Sequence, residues 1–432
     1  MTSVAAHLPQ RRGACPSLSV PMPSGDGLLA RLRPTGTISL SAFAALCAAA
    51  QRFGNGVIEI TSRGSIQIRG LSAASAPRFA DVVTALAITA DDGIPVHSNA
   101  LAGLDREQIL DADAVAADLR CALARTSLAE RLAPKVSVVI DGGGALGLGS
   151  VTADVRLSAD LVNGAAIFHI GVAGDGATET KLGVVASADG VEAARRLIDV
   201  IARYGRMARA RDVLAADGLA PFKAVLAGLV GALDHCGSRG ATRTTEPIGQ
   251  HLLRDGSFAH GLGLAFGHAD ARMLERLAQA AKNAGATGIR LTAERALMVI
   301  GLTGRTAPIV AAEAERLGFV VRADDPRRYV IACAGAPICA SGHIAARSIA
   351  PAVAEAAGKY LDRHFRIHIS GCAKGCAHAG KAGLTIVGRE DGCAIIANGS
   401  VHDTAIALAT TNELPALIAE LGRMAQRESE HV

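Results

Sequence analysis

The 432-residue chain is half hydrophobic yet only 3% aromatic, has no Trp and carries a net charge of +4, so its cores must be built from Ala, Val, Leu and Ile across two or three domains. The mild charge, with no basic run interleaved with aromatics, speaks against nucleic-acid binding. Apolar runs such as residues 42–50 fall far short of the roughly 20 residues of a membrane-spanning helix, so no membrane association is expected.

The N-terminal MTSVAAHLPQRRGACP places Arg11 and Arg12 after a mild apolar stretch that no long apolar segment follows. That is unlike a secretory signal, and a cytoplasmic location is expected. Next come a short strand (28–32), a helix (41–53) capped by Ser41 and a hairpin, GNGVIEITSRGSIQIRGL (54–71), whose apolar residues alternate with period two. KVSVVID (135–141) predicts a strand that runs into a Gly-rich turn. Strands at 151–157 and 165–170 and a helix at 191–204 follow. The series then begins again with a strand (262–266), a helix capped by Asp270 (270–284) and the hairpin GATGIRLTAERALMVIGL (285–302). FRIHISG (365–371), strands at 384–387 and 393–397, and a helix at 413–421 close the chain. A constant offset of 231 pairs Ile58 with Ile289, Thr61 with Thr292 and Gly70 with Gly301. The order A–B–A′–B′ implies two related halves facing each other across a pseudo-two-fold axis, with a ligand cleft between them.

Nine cysteines in a chain expected in the cytoplasm are not expected to form a disulfide framework. Cys47 and Cys121 sit in Ala/Leu-rich helical stretches and read as small core residues. Four others form two pairs: CAGAPIC holds Cys333 and Cys339, and CAKGC holds Cys372 and Cys376. A [4Fe–4S] cluster needs four thiolates converging on a compact anionic core. The alternatives are a Cys₄ zinc site, for which the first pair is wider than the usual two to four intervening residues, or unrelated thiols. Ser341 reads as the cap of a helix whose positive end would face the cluster.

Gln67 and Arg69 alternate with Ile66 and Ile68, so they face either the cleft or solvent. Lys374, between two cysteines, faces the cluster, the substrate or solvent. His343, His368 and His378 flank the cysteines. They could ligate a further iron, move protons or be ordinary surface and core histidines. Gly142, Gly144 and Gly147 match G-x-G-x-x-G, but a strand follows rather than a helix, so a turn is expected instead of a dinucleotide site.

The C-x5-C…C-x3-C spacing, the repeat and the hairpin TSRGSIQIRG together resemble the sulfite/nitrite reductase superfamily over nearly the whole chain. Within it, RRGACPSLSVPMPSGDGLLARLRP (11–34), LAGLD (101–105), CAGAPICASGHIAAR (333–347) and HISGCAKGCAHAGKAGLTIVG (368–388) are similar to the precorrin-3B synthase family of aerobic cobalamin biosynthesis. The resemblance implies an α+β fold of duplicated architecture. Ferredoxin-like half-domains would span 10–75 and 245–305, a helical connection 76–130, and α+β domains 131–215 and 325–425, the last holding the cluster beside a tetrapyrrole cleft. It places Arg63 and Lys135 where siroheme reductases contact tetrapyrrole carboxylates or the substrate anion. Arg12, Gln67, Arg69 and Lys374 are the further candidates for substrate contact.

Some positions depart from the reductase pattern. Ser137 stands where reductases often have a second lysine, no arginine precedes LAGLD, Ser65 replaces a common Asn, and Glu294 takes the place of Arg63 in the second hairpin. So few cations fit a tetrapyrrole held as substrate better than a permanently bound siroheme. The implied reaction oxidises precorrin-3A with molecular oxygen, hydroxylating a meso carbon and closing a γ-lactone. Electrons would come from an NADH-linked donor protein through the cluster, and a separate mononuclear non-haem iron would take the oxygen. The alternatives are a siroheme-dependent sulfite or nitrite reductase, and a non-catalytic iron–sulfur protein that binds and delivers a tetrapyrrole.

Overall fold

A computed structural model describes residues 16–231, 246–362, 365–378 and 380–429; Arg12, Cys15 and Cys236 lie outside these. The first helix, Leu40–Phe53, buries Phe43, Leu46, Cys47 and Ala50 along one face. Its cap is Ser39 rather than Ser41: the Ser39 hydroxyl accepts from the Ala42 amide at 3.2 Å. The hairpin that follows, Val57–Ile60 and Ile66–Leu71, turns Ile58, Ile60, Ile66 and Ile68 inward. Its sheet runs in the order Met22–Ser24, Gly27–Leu32, Ile66–Leu71, Val57–Ile60, His268–Asp270. The second copy has Gly249–Leu252, Phe258–Gly263, Ala296–Leu302 and Gly288–Thr292 around helix Ala271–Asn283. That helix is capped by Asp270, as expected.

The two copies share one core, in which Leu46 and Ala50 of the first helix lie with Leu274 and Leu277 of the second. They also exchange backbone. Ala269, just ahead of the second helix, pairs with Ile58 of the first hairpin, and Ile38, just ahead of the first helix, pairs with Ile289 of the second. The offset of 231 carries each of these contacts onto the other.

The second repeat is equally regular. One sheet orders Val96–Ser98, Val138–Asp141, Ala153–Val162, Ala165–Gly174 and Thr180–Ala186; the other orders Val330–Ala332, Ile367–Ser370, Ala382–Arg389, Gly392–Gly399 and Ala407–Ala409. In both, the successive pairings are parallel, parallel, antiparallel and antiparallel. Each has a helix between its first two strands, Ala112–Ala124 or Ala346–Ala357, and a closing helix, Gly190–Arg203 or Leu414–Ser429. Segment 76–130 therefore gives the first α+β domain a strand and a helix as well as connecting to it. The strand is three residues long, too short for its alternation to register in the sequence.

Helix Ala112–Ala124 buries Ala112, Ala116, Leu119 and Leu123, a stripe that leaves Cys121 exposed rather than in the core. The G-x-G-x-x-G segment is a loop filled by carboxylates. Asp141 accepts from the Gly143 and Leu148 amides, and Asp105, the last residue of LAGLD, accepts from the Ala145 amide at 2.6 Å. Among the described residues no helix is long and apolar enough to cross a membrane.

Candidate functional site: a cationic cavity walled by four cysteines

The tip of the first hairpin is organised by Thr61. Its hydroxyl accepts from the Arg63 and Ser65 amides, and its carbonyl accepts from Gly64, which has φ +72°. The turn so formed presents Arg63 to a cavity of about 810 Å³ between the first half-domain and the second α+β domain, a volume suited to a large organic ligand. Cys333, Cys339, Cys372 and Cys376 all lie in its wall.

The two cysteine loops are bound together through backbone. The Cys333 amide donates to Ile369, His343 donates to Gly371, and the Gly371 amide donates to Cys333 Sγ at 3.0 Å. A Cβ on Gly371 would lie 2.9 Å from Gly335 Cα and 3.4 Å from Cys333 Sγ, so only glycine permits this approach. Gly25, at the edge of the first half-domain, is pressed still harder against the loop: a Cβ there would lie 2.4 Å from Cys339 Cα.

Burial raises the Cys333 and Cys376 thiol pKa values, and the neighbouring cysteines raise them further. Thiolates that share one cavity wall repel one another, and a cationic group held among them would offset that repulsion. This donor set, with an amide hydrogen bond already aimed at one sulfur, fits a [4Fe–4S] cluster. Among the described residues no three His, Cys, Asp or Glu side chains gather tightly enough for a single metal ion.

Arg69 and Arg347 line the cavity with the cysteines; burial lowers the Arg347 pKa, whereas Glu59 and Asp26 outweigh burial at Arg69 and raise its pKa. Arg69 holds Asp26 through two hydrogen bonds of 3.0 and 2.9 Å. Glu59, the one acidic residue among the described residues of the cavity wall, pairs with Arg347 and lies 3.8 Å from Arg69. This chain of charges ties the first sheet to helix Ala346–Ala357.

Of the residues expected at the site, Arg63, Gln67, Arg69, Lys135 and Lys374 all line the cavity. Gln67 is held between Arg31 and Glu59. Lys374 donates to Ser341 at 2.8 Å, so Ser341 links the cysteine loops and caps no helix; the nearby helix starts at Ala346. The small number of cations expected from the sequence is not what the fold assembles. Arg31, Arg33, Arg295 and Arg347 join Arg63, Arg69, Lys135 and Lys374, making eight cations among the described residues of the wall.

Arg295 lies in the second hairpin, one residue beyond Glu294, with φ +63°, and donates to Ala377 beside Cys376. Its offset partner is Gly64, so an arginine occupies a left-handed position that its twin fills with glycine. That mismatch within the repeat was the available signal. Ser137 is fully buried beside Asp154. His368 is buried and His378 lies 5.7 Å from it, ring to ring; neither is in the cavity wall.

Comparison with known proteins agrees with this fold. Residues 20–86 match the nitrite/sulfite reductase ferredoxin-like half domain. The chain is 37% identical to a precorrin-3B synthase of Sinorhizobium sp over 97% of this chain and 90% of that protein. It is 25% identical to the ferredoxin–nitrite reductase of Synechococcus elongatus, over 84% and 77%. The solved structure of Mycobacterium tuberculosis NirA superposes with a TM-score of 0.76 at 18% identity, over 92% of this chain and 80% of that one. The chain belongs to the precorrin-3B synthase family, within the sulfite/nitrite reductase superfamily.

Proposed function

We propose that this protein is a precorrin-3B synthase that hydroxylates a meso carbon of precorrin-3A with molecular oxygen and closes a γ-lactone onto a ring-A acetate. The observation that carries this reading is the cavity: about 810 Å³, with eight cations and four cysteines among its described lining residues, in a chain related over nearly its whole length to a precorrin-3B synthase. Precorrins carry many carboxylates, and guanidinium groups hold carboxylates through paired hydrogen bonds. Arg63, Arg31 and Arg33 on the first sheet and Arg295 opposite them would fix the macrocycle's rim. Lys135 and Lys374 would close its edges.

Cys333, Cys339, Cys372 and Cys376 would hold the [4Fe–4S] cluster, which supplies single electrons. One oxygen atom enters the macrocycle and the other leaves as water, with two electrons from an NADH-linked donor protein.

The competing reading, a siroheme-dependent reductase, draws support from the cation-rich wall. Anaerobically purified protein given precorrin-3A, a reducing system and air should consume oxygen in proportion to precorrin-3A. It should not oxidise reduced methyl viologen when given sulfite or nitrite. Brisk viologen oxidation together with extractable siroheme would favour the reductase.

A further inference from the structure

The duplication creates a second pocket. The offset of 231 carries Thr35 and Gly36 onto Phe266 and Gly267, and Thr61 and Ser62 onto Thr292 and Ala293. Phe266, Gly267, Thr61 and Ser62 line the large cavity, while Thr35, Gly36, Thr292 and Ala293 line a smaller one of about 80 Å³. The counterpart of the cysteine loops has been rebuilt there. Asn99 follows the first strand of its sheet as Cys333 follows its own, and Asn99 Oδ1 accepts from the Gly142 amide at 2.7 Å just as Cys333 Sγ accepts from Gly371. Asn99 also donates to Asp141 and Leu146, so polar side chains fill the place of a cluster. What remains open is a small cleft walled by Arg33, Arg63, Arg120 and Arg290 against two carboxylates, Asp91 and Asp113.

At the boundary between the two cavities stands His97, which lines both together with Arg33 and Arg63. Its Nε2 is closed off from solvent and has no hydrogen-bond partner among the described residues. Burial, then Arg63, Arg33 and Arg120, push its pKa down to about 3, so the ring is neutral. A neutral imidazole among three guanidinium groups offers an N–H to an anion without having to become charged itself. A space of this size admits a few waters or one carboxylate group, and no macrocycle.

We propose that this pocket is a carboxylate subsite that receives one side arm of the macrocycle in the large cavity, held by His97 and the surrounding arginines. The choice of a macrocycle arm rests on the tetrapyrrole reading above. A free small carboxylate shares the same chemistry.

The test uses the full chain and reads backbone hydrogen exchange at residues 96–100 and 35–36, with acetate titrated against chloride at constant ionic strength. Acetate should slow exchange there, and His97→Phe should weaken its binding about tenfold, the usual effect of losing one hydrogen bond to a charged group. Uroporphyrin, a polycarboxylate tetrapyrrole, should then abolish the acetate effect in the unmodified protein if a macrocycle arm fills the pocket. Acetate and uroporphyrin binding independently would support the carboxylate site with a free anion as its occupant. Acetate protection with no tetrapyrrole binding anywhere would sink the proposed function and support this pocket alone. Equal exchange in acetate and chloride, with no protection by uroporphyrin, would overturn the proposal, and this arm requires no variant to fold.

Discussion

Arg63 owes its position to one threonine. The Thr61 hydroxyl and carbonyl together bind three amides of the turn, and the Arg63 guanidinium reaches across to the Thr152 carbonyl at 3.1 Å. Arg63→Ala should weaken precorrin binding about tenfold to a hundredfold, from the loss of a charge-assisted hydrogen bond of roughly 1.5–3 kcal/mol, and Arg63→Lys should recover only part of that. Unchanged affinity in a direct binding titration would remove Arg63 from the site. Changing any one of Cys333, Cys339, Cys372 or Cys376 to Ser should deplete iron and sulfide together. Cys121→Ser, at an exposed helix position, should leave both unchanged; colorimetric iron and sulfide assays per chain decide.

Arg69 is a different kind of residue. It faces the cavity, yet its guanidinium is committed to Asp26, with side-chain exposures of 10% and 8%. Burial alone would raise the Asp26 pKa, but hydrogen bonds from Arg69 and Ser24 hold it below the usual carboxylate value. Arg69→Ala strands a buried carboxylate and should cost about 3–5 kcal/mol, seen as a lowered melting temperature. A group with a depressed folded pKa stabilises the fold above its unfolded pKa and loses that contribution as pH falls through the folded one. Asp26→Asn should therefore destabilise the protein at neutral pH and flatten the acid side of its stability profile.

At the scale of elements, the hairpins and the cysteine loops are what the sequence makes legible. The hairpins could be read because Ile58, Ile60, Ile66 and Ile68 alternate inward and recur 231 residues later. The cysteine loops could be read because thiol spacing is itself a chemical pattern. The full set of cations could not. Arg31 sits on a strand whose register only the folded sheet defines and Arg33 just beyond its end, Arg347 lies on a helix brought in by Glu59, and Arg295 depends on a left-handed turn residue. Ser39 displaced Ser41 as helix cap because the helix begins two residues earlier than a cap at Ser41 would set it. Where loops meet, glycine is decisive. Gly371→Ala would drive a Cβ to within 2.9 Å of Gly335 backbone, so the loops must separate. Reduced cluster content in a variant that still gives a native far-ultraviolet spectrum is expected, and a full cluster complement would show that the contact can relax.

Over the whole molecule, one duplication accounts for the shared core, the reciprocal pairs Ala269–Ile58 and Ile38–Ile289, and two sheets of identical order. Divergence between the halves then separates their chemistry. One half keeps four cysteines beside a cavity large enough for a macrocycle, and the other replaces them with Asn99 and Asp141. Both retain arginines, so the charge that suits carboxylates surrounds the axis rather than one face. The proposed reaction places one atom of dioxygen on the macrocycle, which a reductase of the same architecture would not do. The most direct measurement is mass spectrometry of the product after turnover of precorrin-3A under heavy-isotope dioxygen with a reducing system. The account expects a product that has gained one labelled oxygen atom and lost it in parallel with the cluster in Cys372→Ser. A product without label, or no product while sulfite or nitrite drives viologen oxidation, would contradict it.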